Sequence, residues 1–394
     1  MSSFKTFIEQ KPLYYKEIDH ERVHKAYALL KPYIKKPTVI HLVGTNGKGS
    51  TGRIMATLLH EKGTKVGHFS SPHILKFNER IWLEGKDSSD EVLEEGHERL
   101  YEILGQEICD GLSYFEYTTL LAFVVMEDME VIVLEAGLGG EFDATNVVAK
   151  ELSVITPIGL DHQDFLGDMI DKIATTKLNS IEDRVIIGFQ NSIEVEGIAL
   201  DIAKEKNAKI TFLKDLVLRE EILLLTQEMG WSLYLYENAL LAVNALDILG
   251  LEYDIESLKK VKLFGRFYKL MPNVRIDVGH NLLAVEAIVE ELKTQKEKIV
   301  LIYNSLDDKD YHEILKTFRP FIKRVEILPI ETQRAIDINL LHKSLEELTI
   351  SYTNFQSIKE KNNYLVFGSF YVVESFIKRT ALDINNNLVI MSLS

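Results

Sequence analysis

Short apolar runs return along this chain with an amphipathic stretch between successive ones, and that rhythm restricts the possible folds more than any other feature. The runs at 38–44, 65–69, 131–136, 153–158 and 185–189 are mostly rich in Val, Ile or Phe, the pattern of strands buried on both faces. Stretches 50–61, 91–106, 117–126 and 197–206 carry helical periodicity instead. Alternation of the two predicts an α/β fold, a mostly parallel sheet with helices on both sides. The pattern changes after Phe212, where 221–226 and 232–236 read as a hairpin across a Gly-containing turn, followed by a helix from about 237 to 249. A second βα series then begins. Its strands are expected at 275–278, 299–303, 325–328 and 365–367, and its helices at 282–293, 311–318, 339–348 and 371–378. The domain boundary is placed between Leu258 and Lys269, giving domains at 1–262 and 263–394, the second smaller and Rossmann-like.

Composition narrows the function. Acidic side chains number 60 against 45 Lys and Arg, a formal charge of −15, so the chain has no global field with which to grip nucleic acid or an anionic membrane. An anionic ligand must therefore be held by local groups. The single Cys109 excludes an intrachain disulfide and a cysteine-built zinc site. The opening MSSFKTFIEQK lacks the apolar segment of a signal peptide, and no run approaches the ~20 apolar residues of a membrane span. These features predict a soluble cytoplasmic protein acting on small molecules, and we expect a monomer.

The most specific local signal is HLVGTNGKGST at 41–51. A buried-looking strand enters a glycine-rich turn carrying one lysine, and a helix follows at once. Small residues let backbone N–H groups close on phosphate oxygens, the helix N-terminus adds partial positive charge, and the lysine neutralises the terminal phosphates. The spacing departs from the usual phosphate loop. Gly44 lies three residues before Gly47 rather than five, and Gly49 separates Lys48 from the hydroxyls of Ser50 and Thr51. A nucleotide-phosphate site, with ATP and Mg²⁺, explains this stretch better than an ordinary βα turn. Magnesium prefers oxygen ligands and retains several waters. Ligands for it are expected at the C-terminal ends of neighbouring strands. Glu135 ends the apolar run before Ala136 and a glycine turn, and His162 follows the run at 153–158. Taken alone, Glu135 fits a solvated strand end as well as a metal ligand, and His162 fits a hydrogen-bonded loop histidine.

Together these segments resemble the Mur ligase superfamily and, within it, the folylpolyglutamate synthase/dihydrofolate synthase family. The matching stretches are VGTNGKGST (43–51), SSPH (70–73) with FNERI (77–81), FEYTT (115–119), LEAGLGGEFDATN (134–146), TPIGLDH (156–162), DVGHN (277–281), DDKD (307–310) and VFGSFYVV (366–373). They run in the family's order over nearly the whole chain. The resemblance implies an ATP-dependent amide ligase that joins L-glutamate to dihydropteroate, and to folates, through an acyl phosphate, with catalysis between the two domains.

Carried over residue by residue, the resemblance implies that Lys48 holds the terminal phosphates while Gly44, Thr45, Asn46, Gly47, Gly49, Ser50 and Thr51 complete the cradle. Ser71, Glu135 and His162 match metal-binding positions, with Ser50 adding a contact. Lys177 falls where the family carries a lysine carbamate, which would suit a second Mg²⁺; an unmodified surface lysine is the alternative. Asn238, Arg266 and Asp277 match nucleotide-contacting positions, and Arg266 is also a catalytic candidate beside Lys48, Lys177 and His162. The pterin end is expected near Phe115, Glu116, Phe142, Asp143 and Ala144, with 19–23 as a weaker site; Phe115 fits plain core equally well. His280, Ser305, Asp308, Lys309 and Ser369 are expected to face glutamate.

Several positions depart from the family pattern: Glu141 where an arginine is usual, Thr176 and Leu178-Asn179 around the lysine, Tyr234-Leu235 before Asn238, and Val278-Gly279 after Asp277. Two rivals follow. One is a related ligase for a cell-wall nucleotide precursor, opposed by FNERI, FEYTT and the GLGG–DATN stretch. The other is a nucleotide-binding module without ligase activity.

Overall fold

The computed structural model describes residues 2–12, 19, 21–295 and 297–384. It divides into two compact units, one of Met1–Gly159 with Phe165–Lys262, the other of Leu160–Asp164 with Leu263–Ser394.

The first unit is built on eight strands: β1 (Thr38–Val43), β2 (Val66–Phe69), β3 (Ile81–Leu83), β4 (Lys86–Asp87), β5 (Val131–Glu135), β6 (Leu152–Ile155), β7 (Arg184–Ile187) and β8 (Lys209–Phe212). Their order across the sheet is β4-β3-β2-β5-β1-β6-β7-β8. All pairings from β2 to β8 are parallel, while β3 and β4 add an antiparallel edge. Strand β1 is central, with Leu42 beside Glu135 of β5 on one side and Val154 of β6 on the other. That arrangement brings the strand ends of β1, β5 and β6 side by side, where open α/β sheets bind ligands. Ile40 and Leu42 are fully buried, and trimming Leu42 to Ala is expected to cost ~2–5 kcal/mol in transfer and cavity terms.

The second unit has β9 (Tyr268–Met271), β10 (Val274–Ile276), β11 (Ile299–Tyr303), β12 (Ile322–Ile327), β13 (Tyr352–Asn354) and β14 (Tyr364–Phe367). They lie in the order β13-β12-β11-β14-β10-β9, with only β9 antiparallel.

The expected hairpin is absent. Residues Glu220–Glu228 and Leu233–Leu249 are helices instead. The burial pattern gives the reason. Ile222, Leu225 and Thr226 face inward at three- and four-residue spacing while Leu224 is exposed, which fits a helix and not a strand of period two. Gly230, with φ of 66°, makes the left-handed turn between the helices. Five strands depart from the expected pattern: the short antiparallel pair β3 and β4, of three and two residues, and the strands β8, β9 and β13. The strands β8, β9 and β13 are partly or wholly open to solvent along their length, so none carries the continuous apolar run of an interior strand, and β3 and β4 are too short to show a run at all. Among the described residues, no helix is long and apolar enough to cross a membrane.

Candidate active site

In the first unit, β1 ends at Val43, a glycine turn follows, and the helix Lys48–Glu61 begins. The turn is made by residues no larger than it permits. A Cβ on Gly44 would lie 2.0 Å from Thr156 Oγ1, and one on Gly47 would lie 2.7 Å from Asn238 Oδ1. Gly47 also sits at φ 91°, a conformation disfavoured for side-chain-bearing residues. Thr45 fastens the turn to the segment after β6: its N–H donates to Pro157 O at 2.9 Å and its hydroxyl donates to Gly159 O at 3.0 Å. Asn46 N–H also points at Pro157 O, at 3.3 Å.

Two ammonium groups meet this loop. Lys48 Nζ donates to Gly44 O at 2.8 Å and to Thr45 O at 3.2 Å. Lys177, near the end of the helix Ile170–Leu178, donates to Gly44 O at 3.0 Å. Lys177 is therefore no surface lysine: it is 5% exposed. A Cβ on Gly140 would lie 2.6 Å from Lys177 O, so the second glycine turn and this helix approach with backbone in contact.

Buried polar atoms without partners gather here. Ser50 Oγ, Thr51 Oγ1 and Asn238 Nδ2 have no hydrogen-bond partner. An orphaned buried polar atom costs ~1–3 kcal/mol, so such atoms mark a place where a ligand completes the bonding. Glu135, the last residue of β5, is 2% exposed, and its Oε1 accepts a hydrogen bond from His68 Nε2 at 2.7 Å. His68 lies on β2 against the helix carrying Ser50; its Nε2 is 2.5 Å from where a Cβ on Gly52 would be. Ser71 follows β2, half-buried. Among the described residues no three His, Cys, Asp or Glu side chains form a ready metal cage. A donor set of one carboxylate and a serine hydroxyl beside a phosphate loop fits Mg²⁺, which leans on phosphate oxygens and water for its remaining positions.

The residues assigned to the pterin end lie around the second glycine turn. The Phe115 ring is 2.5 Å from a Cβ placed on Gly137 and stacks on Phe69 with centroids 5.9 Å apart. Glu116 caps its own helix through Ser113 N–H at 2.7 Å and accepts Arg22 Nη2 at 2.7 Å, which ties the weaker 19–23 segment to this region. Within that segment His20 lies outside the described residues. Asp143 is buried and accepts from the N–H groups of Gly137, Leu138 and Thr145 at 2.9, 2.8 and 3.0 Å. Burial raises its pKa against these bonds. Asp143 thus fixes the turn, leaving Phe142 as the exposed member at 54% and Ala144 buried. Glu141 accepts from Asn179 Nδ2 at 2.8 Å.

The second unit carries a different polar cluster. Asp161 Oδ1 accepts Lys309 Nζ at 2.7 Å, and Oδ2 accepts Asn281 Nδ2 at 2.9 Å with His280 Nε2 at 3.5 Å. Burial works to raise the Asp161 pKa, yet His280, His162 and Lys309 hold it well below the usual carboxylate range. His162 adopts φ 52°, a strained left-handed conformation, with its N–H donating to Asp161 Oδ1 at 2.8 Å. Asp308 binds Lys309 at 3.1 Å and Arg334 at 2.9 Å. Asp277 accepts the N–H groups of Phe267 and Gly279, each at 2.7 Å. Arg266 donates to Gly265 O at 3.2 Å and lies over the Phe370 ring at 5.5 Å. Ser305 donates to Leu306 O at 3.1 Å, and Ser369 accepts the Val372 N–H at 3.3 Å.

His68 was not singled out from the sequence, although it stands two residues before SSPH in an otherwise apolar strand.

No protein-family model matches the chain. The dihydrofolate synthase/folylpolyglutamate synthase of Haemophilus influenzae is 30% identical over 403 residues, covering 86% of this chain and 88% of that one. The chain belongs to the dihydrofolate synthase/folylpolyglutamate synthase family. The crystal structure of Helicobacter pylori folylpolyglutamate synthetase is 39% identical with a TM-score of 0.77, covering 96% of this chain and 98% of that one. A bifunctional folylpolyglutamate synthase/dihydrofolate synthase of Yersinia pestis, complexed with AMPPNP and a manganese ion, is 25% identical with a TM-score of 0.81, covering 96% and 98%. The two-sheet α/β architecture of the present chain is that of this family.

Proposed function

We propose that the chain is an ATP-dependent amide ligase that adds L-glutamate to dihydropteroate, to reduced folates, or to both. The carrying observation is the convergence on one loop of Lys48, the unpartnered Ser50 hydroxyl and the helix N-terminus, with Glu135 on the adjoining strand end, in a member of this family.

A free carboxylate is a poor acyl donor because its leaving group would be hydroxide. Transfer of the ATP γ-phosphoryl to the acceptor carboxylate gives an acyl phosphate; the glutamate amine attacks its carbonyl, inorganic phosphate leaves, and the amine loses a proton. The chain's part is positioning and charge neutralisation. Lys48 would leave the loop carbonyls for the β- and γ-phosphate oxygens, and the amides of Gly47, Gly49, Ser50 and Thr51 line the same helix start. Ser50 and Glu135 would hold the magnesium ion, with Ser71 and His162 as further proposed ligands. When bound, that ion neutralises phosphate charge and polarises the transferring group. Asn238, Arg266 and Asp277 are proposed nucleotide contacts. Phe115, Glu116, Phe142, Asp143 and Ala144 are proposed to form the acceptor end, and His280 with Ser305, Asp308, Lys309 and Ser369 the glutamate end. We assign nucleotide and acceptor binding to 1–262 and glutamate binding to 263–394.

Lys177 is proposed to carry CO₂ as a carbamate, formed when its neutral amine adds CO₂ and releases a proton. Its burial beside the loop supports this. Lys177→Ala should depress amide formation severely and be partly rescued by small carboxylates; turnover equal to the wild type would discard the carbamate.

The function is tested by incubating the protein with ATP, Mg²⁺, glutamate and either dihydropteroate or a reduced folate. One ADP released per new amide is expected. Amide formation only with a cell-wall nucleotide acceptor, or none with any acceptor, would overturn the assignment.

A further inference from the structure

The buried His68 has no part in the chemistry described above, yet its ring bonds the Glu135 carboxylate at 2.7 Å. A carboxylate only accepts hydrogen bonds, so Nε2 must carry the proton and donate. Nδ1 has no partner and adds no second restraint. Both side chains are nearly sealed, His68 at 1% exposure and Glu135 at 2%, so water does not replace this bond cheaply. The ring is hemmed in by Gly52, whose missing side chain leaves the space it occupies: a Cβ there would meet Nε2 at 2.5 Å and Cδ2 at 3.2 Å. Arg53, the next residue of that helix, lies over the Trp82 ring at 4.8 Å and contributes positive charge near both His68 and Glu135.

We propose that His68 is a positioning residue for Glu135: it anchors Oε1 and so presents Oε2 to the divalent ion held beside the phosphate loop. This rests on the assignment of Glu135 as a metal ligand. Donors that orient a ligating group typically change metal affinity by about 10- to 100-fold when removed, without contacting the ion. The Gly52–His68 fit makes this a paired device, a glycine on the loop's helix making room for the ring that steers the neighbouring strand's carboxylate.

The test is Mn²⁺ binding followed by electron paramagnetic resonance in the presence of AMPPNP, on wild-type protein and on His68→Leu, His68→Gln and Glu135→Gln. Leucine removes the donor at similar volume, whereas glutamine restores an N–H. His68→Leu should weaken Mn²⁺ binding by about tenfold or more and raise the Mg²⁺ concentration for half-maximal turnover, while kcat at saturating Mg²⁺ falls less. His68→Gln should recover most of the affinity. Wild-type Mn²⁺ affinity in His68→Leu, with Glu135→Gln weakened, overturns the positioning role alone. Unchanged affinity in Glu135→Gln overturns the metal assignment beneath it. Should His68→Leu fail to fold, His68→Met, which also lacks the N–H, takes its place: wild-type Mn²⁺ affinity in it contradicts the donor role, and a loss that His68→Gln reverses supports it.

Discussion

The two units finish their polar clusters in opposite ways. Among the described residues, every buried side-chain polar atom lacking a partner, apart from Tyr303 Oη, lies in the first unit, with Ser50, Thr51 and Asn238 at its phosphate loop. In the second unit Asp161, Lys309, Asn281, Asp308 and Arg334 bond one another. Burying a polar group unbonded is costly, so a cluster that leaves such groups open is shaped for something other than itself. The closed cluster is bonded within itself, so removing one member leaves a buried charge without its partner, which is strongly unfavourable for folding. Removing residues from the first should damage binding and chemistry with little effect on folding; removing them from the second should damage folding as well as glutamate binding.

Lys48→Ala should separate these most sharply. Ligase turnover is expected to fall about a thousandfold, the scale for losing one preorganised charge on a transferring phosphoryl group. The thermal midpoint should hold, because Lys48 is only partly buried and its ammonium bonds carbonyls of the loop itself. A melting transition that collapses in this variant would break the comparison.

Lys309→Met is the converse. It leaves Asp161 buried without its cation, and we expect a loss of about 3–5 kcal/mol in denaturant unfolding of the second unit. Unchanged stability would show that this cluster serves the proposed glutamate end without stabilising its unit.

Gly47→Ala should be milder. Its φ of 91° and the 2.7 Å approach to Asn238 Oδ1 impose strain of about 1–3 kcal/mol on the loop. Calorimetric titration with AMPPNP should show affinity reduced by roughly tenfold, with the rest of the unit intact.

The smallest effect is at Cys109. Burial pushes its thiol up to about 12, so it stays protonated at neutral pH. Iodoacetamide at pH 8 should leave the native protein unmodified and label it promptly in denaturant; rapid labelling of native protein would contradict the packing.

The centre of each sheet was legible because its strands are sealed on both faces: β5 and β11 are buried at every position, and β11 and the first four residues of β5 read as unbroken apolar runs. Edges were not, since β8 and β13 show solvent nearly as much as core. The 220–249 region misled because a short apolar run has no visible period until one knows which members face inward. At the site, the phosphate loop and Glu135 stood out through glycine spacing and strand-end position. His68 did not, because one histidine in an apolar strand gives no sign of its partner 67 residues away. Asp143 was recognisable as important but not as the fastener of the Gly137-Leu138 turn, a role that depends on backbone N–H directions no motif encodes.

The central claim is that the open cluster at the end of β1 and β5 holds a metal–triphosphate complex. A crystal structure of the protein soaked with AMPPNP and Mg²⁺ tests it most directly. The account predicts triphosphate oxygens on Lys48 and the first turn of the Lys48–Glu61 helix, with the ion bound to Ser50 Oγ and a Glu135 oxygen. A nucleotide seated elsewhere, or an ion bound away from both of those side chains, would contradict it.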